Sequence, residues 1–265
     1  MTERIDNCFN KLKLINKKAL ITFLTAGDPN YDLSLELIKL LPEAGADIIE
    51  IGMPFSDPMA DGPAIQASSL RAINSGHKME KTFEMIESFR KNNSHTPIIL
   101  MGYFNPIYNY GVKTFIEKII DIQVDGVIVV DLPPEEDNEL CDALDSANVS
   151  FIRLVTPTTT PDRLNKILQK TSGFLYYVSI AGITGSKRPE INEVKTAVQV
   201  IKTKTKIPVS VGFGIRTKED VKRVSIFSDG VIVGSVLVDI IKDNQREADI
   251  KNKIVKTVKE FASAV

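Results

Sequence analysis

Cysteine, histidine and uncompensated charge are all scarce in this chain of 265 residues. The two cysteines, Cys8 and Cys141, form no Cys-x-x-Cys pair, which argues against a disulfide scaffold or a zinc finger. Both fall on helical stripes and read as reduced, half-buried apolar filler. The two histidines, His77 and His95, leave little material for a metal site, so no metal is expected; at helix edges they read as surface residues. Lys plus Arg is 33 and Asp plus Glu is 34, a net charge of -1, which removes the electrostatic reason to expect nucleic acid or a membrane surface as partner. No apolar run approaches the ~20 residues that span a bilayer. Residues 1–18 have neither the apolar core of a secretory signal nor the acid-poor look of a transit peptide. Instead Glu3 and Asp6 accompany Ile5, Phe9 and Leu12 at helical spacing, which suits a short capping helix.

What is present is one pattern, repeated. A short apolar, β-branched run gives way to a Gly/Pro/Asp turn and then to an amphipathic stretch. The apolar runs are 20–24, 48–53, 98–101, 126–130, 151–155, 174–178, 209–211 and 231–233, and most are apolar throughout, as strands buried on both faces should be. Between them lie helical stripes such as Leu33, Leu37, Leu40 and Leu41, or Phe115, Ile116, Ile119 and Ile120. Thr160-Pro161-Asp162 reads as a helix start, with Thr160 as cap and Pro161 in the first turn. Eight such units in about 250 residues indicate an α/β fold, a (β/α)8 TIM barrel, with an N-terminal capping helix. A doubly wound open sheet shares the alternation, but no Gly-x-Gly-x-x-Gly follows the first strand. With no linker or composition break, residues 1–265 read as a single domain. The interval between the second and third strands is long and holds an extra helix-like piece, 63–73. Insertions after a barrel strand lie on the catalytic face, which directs attention to residues 57–61.

Polar residues at strand ends are the natural candidates. Glu50 stands in Ile48-Ile49-Glu50-Ile51-Gly52, and strand alternation puts Ile48, Glu50 and Gly52 on one side. If Ile49 and Ile51 meet the helices, Glu50 points into the barrel, where burial raises its pKa and suits it to proton transfer. The alternative is a buried Glu paired with Arg or Lys as scaffolding. Asp61 follows in a segment rigidified by Pro54, Pro58 and Pro63; it is either functional or a cap for the next helix. Glycines after the sixth, seventh and eighth strands (Gly182 and Gly185, Gly212 and Gly214, Gly234 before Ser235) look like a phosphate cradle, where backbone amides approach an anion beside a short helix. Thr25, Asp131 and Tyr176 are further polar strand ends, and of Tyr176 and Tyr177 only one faces the barrel.

The run from Ile48 to Gln66, with its core Glu50-Ile51-Gly52-Met53-Pro54-Phe55-Ser56-Asp57-Pro58-Met59-Ala60-Asp61-Gly62-Pro63, closely resembles the signature of the tryptophan synthase alpha subunit family. Leu24-Thr25-Ala26-Gly27-Asp28-Pro29, Met101-Gly102-Tyr103-Phe104-Asn105-Pro106, Val130-Asp131-Leu132-Pro133-Pro134, Gly182-Ile183-Thr184-Gly185 and Gly212-Phe213-Gly214-Ile215 extend the resemblance along the chain. It implies retro-aldol cleavage of indole-3-glycerol phosphate to indole and glyceraldehyde 3-phosphate, in tryptophan biosynthesis. It implies Glu50 as the acid-base and Asp61 as the carboxylate that holds the indole N–H. Tyr176 and Thr184 match active-site positions, Thr184 orienting Asp61; Phe23, Ile65 and Met101 would line the indole pocket, with Tyr103 and Asp131 nearby. Gly185, Gly214, Gly234 and Ser235 match phosphate-binding positions, and residues 184–189 would form a lid. Ile180 stands where some members carry Arg. The resemblance also implies a beta-subunit partner that carries pyridoxal phosphate, in an alpha2-beta2 heterotetramer, docked near 57–58 and 105–109; no cofactor is expected in this chain. A stand-alone lyase releasing free indole would use the same residues. Another phosphate-binding barrel enzyme would not need the run from Glu50 to Asp61, and a degenerate scaffold subunit would have lost one of the two. Abundant Ile, Lys and Asn fit an AT-rich genome, so the expected location is the cytoplasm, or the plastid stroma for a plastid-encoded chain.

Overall fold

The eight apolar runs become strands of one parallel sheet in the computed structural model, which describes residues 3–179, 190–212, 214–244 and 250–265. The strands are β1 (Ala19–Thr25), β2 (Ile48–Gly52), β3 (Ile98–Gly102), β4 (Gly126–Val129), β5 (Ser150–Phe151), β6 (Arg153–Val155), β7 (Leu175–Val178), β8 (Val209–Gly212) and β9 (Gly230–Val233). Their spatial order is β5-β4-β3-β2-β1-β9-β8-β7-β6. The fifth run, expected as one strand, is two: β5 pairs with β4 and β6 with β7. They are separated by Ile152, whose N–H donates to Val127 O at 3.0 Å. β5 and β6 are therefore one stave that changes partner midway, and the ring closes through it as a (β/α)8 barrel.

The helices are α1 (Glu3–Leu14), α2 (Tyr31–Ala44), α3 (Pro63–Asn74), α4 (Met79–Arg90), α5 (Phe104–Tyr110), α6 (Val112–Asp121), α7 (Asn138–Ser146), α8 (Pro161–Gln169), α9 (Ile191–Lys204), α10 (Lys218–Ser225), α11 (Ser235–Asn244) and α12 (Ile250–Ala262). Local chemistry starts several of them. Asn30 Oδ1 accepts from Leu33 N at 3.0 Å, and Thr160 accepts from Arg163 N with Pro161 following. Thr217 and Asp220 cap α10 reciprocally. The expected extra helix after the second strand is α3, and the short helix after the last strand is α11. Helix α5 has no periodic apolar stripe and was not expected; Asp131 Oδ1 accepts from its first amide, Phe104 N, at 2.8 Å.

Two apolar layers follow from strand alternation. Ile49, Ile51, Leu100, Val127, Tyr177 and Val211 pack outward against the helices. Ile21, Ile48, Ile99, Ile128, Ile152, Phe174, Tyr176 and Ile232 fill the interior. Helix α1 closes the lower end: Ile5 and Phe9 join the interior cluster, and the Phe9 and Phe174 rings lie 5.8 Å apart. His77 corrects the surface reading. It is 7% exposed, with Nε2 2.8 Å from Thr82 Oγ1. Gly27, at φ +78, makes room for it, since a Cβ there would meet the imidazole at 2.3 Å. Burial pushes the His77 imidazole down to about 4, with Lys81 adding to the shift.

The plug role of α1 has a direct test. Phe9→Ala should lower unfolding stability by about 3 kcal/mol, as other buried Phe truncations do. Urea unfolding measures it, and a loss below about 1 kcal/mol would mean that α1 does not close the barrel.

Candidate active site

The upper end of the barrel is where β2 delivers Glu50. Ile49 and Ile51 meet the helices and Ile48 the interior, so Glu50 points inward. It is 0% exposed, and among the described residues neither carboxyl oxygen has a hydrogen-bond partner. The scaffold alternative requires a cation, and the described residues supply none to Glu50. Burial alone raises the carboxyl to about 8, so it is largely protonated at neutral pH.

Asp61 comes from the β2–α3 loop. It does not cap α3: the N-cap is Gly62, with no side-chain cap. Its carboxylate instead accepts from Tyr103 Oη at 3.0 Å, while that hydroxyl accepts from Ala60 N at 3.0 Å. Tyr103, at the end of β3, is held by the Phe55 ring at 5.3 Å. Burial raises Asp61 to about 6, and the Tyr103 hydrogen bond pulls the other way. Burial and the neighbouring Asp61 push the Tyr103 phenol well up, so it stays a donor.

Glu50 and Asp61 open on one cavity of about 620 Å³, within the range of small-molecule sites. Phe23, Ile65, Met101 and Tyr176 line it. Tyr176 faces the barrel and Tyr177 the helices. Burial first, then Glu50 and Asp61, push the Tyr176 phenol far up, so it is neutral. Val130, Leu154, Val178 and Ile232 also line the cavity. They were not singled out in the sequence, although each shares the inward parity of its strand.

Gly214, Gly234 and Ser235 line the same cavity. Gly214 takes φ +78, open to glycine. Ser235 begins α11, and the amides of Leu237 and Val238 turn back to Gly234 O, leaving Ser235 and Val236 in the first turn without intrahelical acceptors. Such a helix end has free amides of the kind that suit an anion. Arg216 and Lys242 stand at the rim, Arg216 paired with Asp239 at 2.5 Å. Thr184, Gly185 and Ile180, with the expected lid over 184–189, lie outside the described residues.

Other candidates stay apart. Asp131 is exposed and serves α5; Asp57 is exposed and bonds Ser56. Thr25 Oγ1 is tied to Ser68 Oγ at 2.6 Å in the core. Among the described residues no group of three or more His, Cys, Asp or Glu could hold a metal ion. No described helix is long and apolar enough to cross a membrane.

An apolar cavity faced by two carboxyls with raised pKa values lies at the upper end of this barrel, and known proteins share the fold. The family model described as tryptophan synthase alpha chain matches residues 9–265. A crystal structure of tryptophan synthase subunit alpha from Legionella pneumophila is similar, with 39% identity and a TM-score of 0.92, over 100% of this chain and 98% of that one. A structure of tryptophan synthase from Mycobacterium tuberculosis has 30% identity and a TM-score of 0.91, over 100% of this chain and 99% of that one. With sequence match and fold in agreement along nearly its whole length, this chain belongs to the tryptophan synthase alpha chain family.

Proposed function

We propose that this cavity cleaves indole-3-glycerol phosphate, with Glu50 moving both protons and Asp61 holding the ring nitrogen. The observation that carries the reading is the fully buried, unpartnered Glu50 facing the same cavity as Asp61. The Glu50 carboxyl gives its proton to C3 of the indole ring, which leaves positive charge at the ring nitrogen. Asp61, as carboxylate, accepts the N–H and stabilises that charge where it develops. The Glu50 carboxylate then takes the proton of the side-chain hydroxyl. The C–C bond breaks, its electrons return to the ring, and indole and glyceraldehyde 3-phosphate form with Glu50 again acid.

Phe23, Ile65, Met101 and Tyr176 form the walls against the ring. Gly214, Gly234 and Ser235 offer amides to the phosphate, and Thr184 and Gly185 are assigned to the same end by family resemblance. This chemistry needs no cofactor in this chain. A beta subunit carrying pyridoxal phosphate is the proposed partner and recipient of indole, in an alpha2-beta2 assembly. Exposed Met59 and Tyr108, in the β2–α3 loop and α5, suit a docking face at that end of the barrel. We read residues 1–265 as one domain and a cytoplasmic location as the setting.

The purified chain should release indole slowly from indole-3-glycerol phosphate, and many-fold faster with a beta subunit. Fast turnover alone would favour a stand-alone lyase, and none in either case would overturn the assignment. Glu50→Gln should lower kcat by about three orders of magnitude or more while indole-3-propanol phosphate still binds. In the wild type, kcat/KM should be bell-shaped, falling below about 6 as Asp61 protonates and above about 8 as Glu50 ionises.

Stability gives a check independent of turnover. The folded Glu50 keeps a proton to about 8 that the unfolded chain loses near 4.5. Its favourable contribution is therefore full below 4.5 and lost as pH rises to about 8. Chemical unfolding should show wild-type stability declining relative to Glu50→Gln across that window. A constant difference would mean that Glu50 is not held protonated.

A further inference from the structure

The ring of Phe23 occupies a slot made by two absent side chains. On β1 it stands in register with Glu50 and leans toward the open end, over Gly52. A Cβ on Gly52 would lie 2.5 Å from Phe23 Cζ and 2.8 Å from Cε2. On the opposite side, a Cβ on Gly234 would lie 3.2 Å from Phe23 Cβ. Neither glycine has positive φ, so the backbone does not require glycine at either position. Space does. Phe23 is itself 7% exposed and forms part of the cavity wall.

We propose that Gly52 is a specificity-determining residue: its missing side chain seats the Phe23 ring, and that seat sets the depth of the aromatic end of the cavity for a fused two-ring substrate. This deepens the proposed indole-glycerol phosphate reading and rests on it. A methyl group at position 52 meets the far end of the ring and backbone cannot yield beneath it, because Gly52 pairs with both Thr25 and Met101 in the sheet. The ring must therefore swing into the cavity, where it takes the room of the substrate's benzo ring and leaves the anion cradle untouched.

The test is a cycle of four proteins: wild type, Gly52→Ala, Phe23→Leu and the double variant, titrated with indole-3-propanol phosphate. Gly52→Ala should weaken binding by about 10- to 100-fold, the range for one misplaced methyl in an apolar site. Phe23→Leu should weaken the wild type slightly yet strengthen the Gly52→Ala protein, because the shorter side chain vacates the clash. Ring-free glyceraldehyde 3-phosphate should bind all four alike. Unchanged analogue binding by Gly52→Ala, or an equal loss from Phe23→Leu in both backgrounds, would overturn the proposal. If the wild type itself binds no analogue, the indole reading fails, and the melting temperatures of the same four proteins still report on the seat. Gly52→Ala should then cost more Tm with Phe23 present than in the Phe23→Leu background; equal costs would overturn the seat as well.

Discussion

A carboxyl group without a partner, buried inside a barrel of isoleucines, is the constraint around which the site is organised. Other buried carboxylates in this protein are neutralised. Asp28 receives two bonds of 2.7 Å from Arg71. Asp125 is held by Arg4 and Arg90, and Asp137 by Arg153 and Lys170. All three have fully buried side chains. Among the described residues, Glu50 alone of these four has no hydrogen-bond partner and no ion pair. An unpaired buried carboxylate is costly, so the group stays neutral instead. The neighbouring strands β1 and β3 flank it, and α1 closes the lower end of the same interior. The proton that chemistry needs is held by the same physics that makes the position unfavourable for stability.

Two carboxyls of similar intrinsic acidity thus take different forms at one pH. Between about 6 and about 8, Glu50 is an acid and Asp61 an anion. Such separation assigns roles to paired carboxyls. The difference comes from neighbours: Glu50 has no hydrogen-bond partner among the described residues, whereas Asp61 accepts from a phenol whose own proton is hard to remove. Tyr103 also accepts from Ala60 N, so it fixes the loop and the carboxylate together.

Strand alternation put Glu50 on one face with Ile48 and Gly52, because parity in a five-residue strand is a local property that backbone geometry imposes, but which face meets the interior came from the fold. The eight-unit count gave the barrel for the same reason. What sequence could not supply were relations between distant segments. The change of partner at Ile152 depends on β4 and β7, far away in the chain. Helix α5 owes its start to Asp131, a residue from another strand end, and has no stripe of its own. His77 looked exposed because its burial depends on Gly27, 50 positions earlier. Asp61 was recognised by family resemblance, yet its hydrogen bond to Tyr103 crosses from one strand end to another and leaves no mark in either segment.

Glycine shows the limit most sharply, since one letter stands for two different physical requirements. Gly214 needs a backbone angle that side chains disfavour, so its neighbours in sequence carry the explanation. Gly52, Gly212 and Gly234 need no such angle; each leaves room for an aromatic ring from another strand. Gly212 lies under the Tyr176 hydroxyl as Gly52 lies under Phe23. A sequence reading that treats every glycine at the upper end as part of a phosphate cradle therefore merges two functions. Conformational glycines shape the backbone of the proposed anion site, while space-giving ones make room for rings that wall an apolar cavity. Gly234 serves both ends, because it borders the first turn of α11 and the Phe23 ring at once. On the proposed reading, that shared residue places the phosphate end and the aromatic wall on one stretch of backbone, so a rigid barrel would hold both halves of one extended substrate in fixed relation to Glu50.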